Sequence, residues 1–141
     1  MSLFGRMFGG KDYPDLDPSN PAAEKIANVE NQLEKMAKDY KEPLEVVPGD
    51  GTTYVFIGKP PKKFGVAWIE NEEVKNFQTL AKEMGVETSV LQRMGEQLRS
   101  AYEHNQEAER YTAHLSECDI TVTPSQDLKQ EVDAIISDAL H

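Results

Sequence analysis

Ile26, Val29, Leu33, Met36 and Tyr40 recur at alternating steps of three and four, with mostly polar residues between them. That spacing lays one apolar stripe along a helix. Asn20 supplies an N-cap, Pro21 fits the first helical position, and Glu24 suits the positive end of the dipole. Pro43 stops the segment. The stripe reads either as a coiled-coil or dimer seam, or as a helix packed on its own domain.

The period then changes. "LEVVPGDGTTYVFIGKPPKKFGVAWIE" holds three runs rich in β-branched and aromatic residues, at 44–47, 53–57 and 64–69, bounded by Gly or Pro. "PGDG" suits a tight turn and "GKPPKK" a longer hairpin loop, which together predict an antiparallel meander. Tyr54 and Phe56 take one face of the middle strand while Val55 and Ile57 take the other. Both faces are therefore expected to be covered, one by helices, while the other could meet a partner.

Helical spacing returns in 70–85 and again from 87, where Leu91, Met94, Leu98, Ala101, Ala108 and Leu115 extend one helix as far as Cys118, across Gly95. "DITVT" is a candidate strand. In the last segment Thr123 and Gln126 have capping-box spacing with Pro124 between them, ahead of the stripe Leu128, Val132, Ile135, Ile136 and Leu140. The expected fold class is α+β: a small antiparallel three-stranded meander packed with four α-helices. Residues 20–141 form the single domain. Residues 1–19 form a flexible tip and linker, in which Leu3, Phe4, Met7 and Phe8 fall at helical spacing and could touch a membrane or a partner groove.

Charge narrows the partners. The 141 residues carry a net charge of −10, and such a surface repels phosphate backbones unless a local basic patch overcomes it. A single cysteine, Cys118, excludes an internal disulfide, and no apolar run approaches the ~20 residues that span a bilayer. The expected location is the cytoplasm.

One segment carries a known pattern. In "TLAKEMGVETSVLQRM", Ala81 is a small residue at a helix crossing and Gly85 leaves the helix with positive φ. Val86 hooks the turn, Ser89 and Gln92 box the next helix, and Leu91 and Met94 face back. Over 77–94 this spacing resembles the helix-turn-helix motif. The resemblance implies a recognition helix from Ser89, with Thr88, Gln92 and Arg93 outward. Arg99, and Lys59, Lys62 and Lys63 at the hairpin tip, would add phosphate contacts. Glu83, Glu87 and Glu96 stand against DNA, because they face phosphates.

Candidate chemistry is sparse. His104, Glu107, Tyr111, His114 and Cys118 would share one face of the long expected helix, and His114 with Cys118 one turn apart could ligate a metal. A solvated face with a half-buried cysteine accounts for the same residues, and no resident metal or other cofactor is expected. No nucleophile elbow, phosphate loop or dinucleotide glycine pattern occurs. The sequence therefore predicts a non-catalytic acidic interaction or regulatory module that binds a protein partner or a second copy of itself. The alternative is a helix-turn-helix DNA-binding regulator.

Overall fold

The computed structural model describes residues 13–60 and 62–140. Leu3, Phe4, Met7 and Phe8 lie outside them. Two helices come first, α1 (Pro21–Asn28) and α2 (Glu30–Tyr40). The expected single helix divides at Val29, whose φ of −121° and ψ of 17° are not helical. Asn20 caps α1 as predicted, accepting from Ala22 N at 2.9 Å.

Strands β1 (Leu44–Val47), β2 (Thr52–Lys59) and β3 (Lys63–Glu70) form the expected meander, but a fourth strand extends it: β4 (Glu73–Asn76). Asn71 and Glu72, at φ 53° and 66°, make a two-residue turn with both centres left-handed. This is the tight hairpin geometry that matches strand twist. Helices α3 (Phe77–Glu83) and α4 (Thr88–His104) follow, then β5 (Tyr111–His114), β6 (Asp119–Val122) and α5 (Gln126–Leu140).

The three-stranded meander with four helices is thus corrected, among the described residues, to a six-stranded mixed sheet with five helices, within the same α+β class. The strand order is β4-β3-β2-β1-β6-β5, antiparallel except where β6 joins β1. The long helix expected to reach Cys118 ends at His104. Asn105 Nδ2 turns back to the Ala101 carbonyl at 2.8 Å, and Tyr111–His114 pairs in register with Asp119–Val122. Thr123 does not cap the last helix. Its hydroxyl is drawn to Glu45, and Ser125 Oγ accepts from Leu128 N instead.

Both faces of the sheet are covered by the chain's own helices. Ile26, Leu33 and Met36 pack with Val46, Val55, Ile57 and Ile69 on one side. Leu80, Met94, Leu98, Leu128 and Val132 pack with Tyr54, Phe56, Val66 and Trp68 on the other. The stripe on 26–40 is therefore core, apart from Tyr40 at its exposed end. Ahead of α1, residues 13–16 run along the outer edge of β5, joined by the parallel bridge Asp15↔Thr112. No helix among the described residues is long and apolar enough to cross a membrane.

Candidate interaction groove

An open groove of about 260 Å³ runs between α4 and the β2–β3 hairpin. Phe64, Val66 and Phe77 supply apolar walls, Gln92, Glu96 and Arg99 stand along the helix, and Gly95 lies between them. The chain positions each wall by ordinary means. Asn76 and Thr79 form a reciprocal capping box, Thr79 N to Asn76 Oδ1 at 3.0 Å, which fixes Phe77 at the start of α3. Phe64 meets Phe56 edge to face at 5.6 Å, and Phe56 meets Tyr102 of α4 in the same way at 5.4 Å. Arg99 Nη2 reaches over to the Lys62 carbonyl at 3.4 Å, tying helix to hairpin tip.

Gly95 is the unusual member. It sits inside a 17-residue helix, where glycine costs about 1 kcal/mol relative to alanine. A Cβ built there would meet nothing within 4 Å. No packing inside the described chain requires the missing side chain.

The structure separates the candidate DNA-binding residues. Gln92 and Arg99 line the groove, and Lys62 adjoins it through the Arg99 contact. Lys59 and Lys63 are cross-strand partners. By strand alternation they take the face opposite Phe64 and Val66. Thr88 and Arg93 are exposed on α4 and outside the groove lining. Within the helix pair, Gly85 has φ 69° as expected, and Val86 N donates to the Leu80 carbonyl at 3.1 Å. Ala81 is exposed, and α4 opens behind Glu87 with no side-chain cap, so the expected Ser89–Gln92 box is not formed.

His114 and Cys118 do not share a helix face, because a β-hairpin carries them. His114 lies between two carboxylates, with Nδ1 2.8 Å from Asp119 Oδ1 and Nε2 3.0 Å from Asp15 Oδ1. The Cys118 thiol is pushed above its ordinary pKa by burial and then by Glu34 and the neighbouring acids, so little thiolate forms at neutral pH. Among the described residues no cluster of three or more His, Cys, Asp and Glu has the placement to hold a metal ion.

A buried polar network adds to the residues that the sequence singles out. Glu45 sits on the central strand β1 and points to the α4 side. Its Oε1 accepts from Tyr102 Oη at 2.7 Å. Its Oε2 accepts from Thr123 Oγ1 at 2.7 Å and Arg110 Nε at 2.9 Å. The Glu45 and Arg110 side chains are 11% and 7% exposed. Arg110 Nη1 donates to the Gln106 and Ala108 carbonyls, both at 3.0 Å, and its guanidinium lies 5.1 Å from the Tyr102 ring centre. Burial, then the Glu45 charge, drives the Tyr102 phenol far above its ordinary range. Arg110 Nη2 is buried without a hydrogen-bond partner, the other polar atoms of the network are paired, and none of these residues lines the groove. The available signal was a glutamate alternating with core residues in "LEVV", since such a carboxylate needs a buried cation.

Compared with protein-family models, curated proteins and solved structures, the chain shows no significant match.

Proposed function

We propose that this chain is a non-catalytic protein-interaction module whose contact surface is the groove along α4. The observation that carries this reading is Gly95. A helix-interior glycine that packing does not need, lining the groove together with Phe64 and Phe77, leaves open a recess that a large side chain would narrow. The module does not use a free sheet face, since its own helices cover both.

Replacing Gly95 by leucine tests the reading. The variant is expected to keep the circular dichroism spectrum and at least the melting temperature of the parent. It should also lose proteins that the parent retains from a lysate and binds again when purified. If both proteins hold the same partners equally, the groove is not the contact surface.

The second reading is DNA binding through the helix-turn-helix-like pair, favoured by the contact of Arg99 with the hairpin tip. Glu96 beside Arg99, and Lys59 and Lys63 on the opposite face, weaken it. Retention on duplex DNA at low salt, falling steeply as salt rises, would replace the protein-interaction reading with this one.

A further inference from the structure

Residues 13–16 form a strap along the outer edge of β5. Leu16 N donates to the Thr112 carbonyl at 2.8 Å, and Thr112 N donates to the Pro14 carbonyl at 2.8 Å. Thr112 Oγ1 adds a bond to the Tyr13 carbonyl at 3.1 Å. Leu16 of the strap also packs against the core, and a second side chain of β5 joins the strap to the hairpin beneath it. His114 reaches Asp15 of the strap with one ring nitrogen and Asp119, its partner across β5–β6, with the other.

Both partners are carboxylates and only accept hydrogen bonds. A neutral imidazole has one N–H, so it can serve one of them. Only the imidazolium donates to both. We propose that His114 is a protonation-operated latch, which as imidazolium ties the 13–16 strap to the β5–β6 hairpin and as neutral imidazole releases it, exposing the outer edge of β5. The latch is independent of the groove along α4.

The surrounding charges agree with this assignment. Among the described residues Asp15 and Asp119 are the only carboxylates within ion-pair distance of the ring. On α2, Glu30 and Glu34 bond Ser116 Oγ and Glu117 N in the β5–β6 turn, and Lys38 pairs with Glu117. At the other end of β5, Glu109 accepts from the Tyr111 phenol. Cys118 in the turn stays a neutral thiol. Hydrogen bonds to Asp119 first, then Asp15, raise the His114 pKa above the ordinary imidazole value. The latch is therefore fully closed below the unfolded value and is lost as pH rises through the higher folded one.

Amide hydrogen exchange of Leu16 and Thr112 between about pH 5 and pH 9, corrected for intrinsic rates, tests the latch. Protection is expected to be high on the acid side. It should fall as His114 titrates, about tenfold for each unit by which the folded pKa exceeds the free one. In Asp15→Asn the His114 titration, followed by its ring proton shifts, should move down. In His114→Gln protection at both amides should be low and flat with pH. Two results would overturn the latch: unchanged protection across the His114 titration, or the same His114 titration in the parent and in Asp15→Asn.

Discussion

Glu45 and Lys38 both form ion pairs, and their surroundings give those pairs very different weights. The Glu45 carboxylate is withdrawn from water and held by a guanidinium and two hydroxyls. Removing it leaves Arg110 charged and buried, with the Tyr102 and Thr123 hydroxyls unpaired. Glu45→Ala is therefore expected to lower unfolding stability by about 3–5 kcal/mol, read from the urea midpoint. Lys38 and Glu117 are 66% and 56% exposed, so solvent screens their 3.3 Å contact. Lys38→Ala should change stability by less than about 1 kcal/mol. Similar losses for the two variants would mean that the Glu45 network carries no special weight in the core.

The helix pair makes the same point for whole elements, because its two glycines do opposite things. Gly85 ends α3 at φ 69°, where a side chain is strained, and Val86 depends on that geometry to turn into the core. Gly85→Ala should cost about 1–2 kcal/mol. Gly95 lies in regular helix with open space around it, so Gly95→Ala should stabilise by up to about 1 kcal/mol. Thermal melts of the two variants check both signs, and a loss at Gly95 would mean that the helix needs its glycine for packing. Of these two roles the sequence displays the first, because a helix-ending glycine followed by a hydrophobic hook is a local pattern. The groove is not local. Phe64, Phe77 and Gly95 come from three elements and meet only once β3, α3 and α4 are packed. Strands followed the same division. β1 to β3 show alternation and clear turn residues, whereas β4 follows a left-handed Asn71–Glu72 turn with no glycine to announce it. β5 hides in "YTAH", whose Ala113 sits in a stretch that also matches helical spacing, and only pairing with β6 decides it.

For the whole molecule, coverage and charge act in the same direction. Helices close both sheet faces, so the apolar face that a symmetric dimer would share is already spent inside the chain. The 13–16 strap covers part of the β5 edge, leaving β4 as the edge without a partner strand among the described residues. β4 is four residues long and carries Glu73 and Lys75, features that discourage edge-to-edge pairing. Among the described residues the exposed large apolar side chains, Tyr40, Val74, Met84 and Leu140, come from four different elements or links and form no extended stripe. A net charge of −10 adds repulsion between copies. Light scattering at micromolar concentration is therefore expected to return the mass of one chain, 15.8 kDa. Added salt screens the charge but creates no apolar face, so the mass should hold at high ionic strength as well. A dimer would support the self-association expected from the sequence, and two variants would locate it. Val74→Lys would break an interface at the β4 edge, whereas Gly95→Leu would break one that fills the α4 groove.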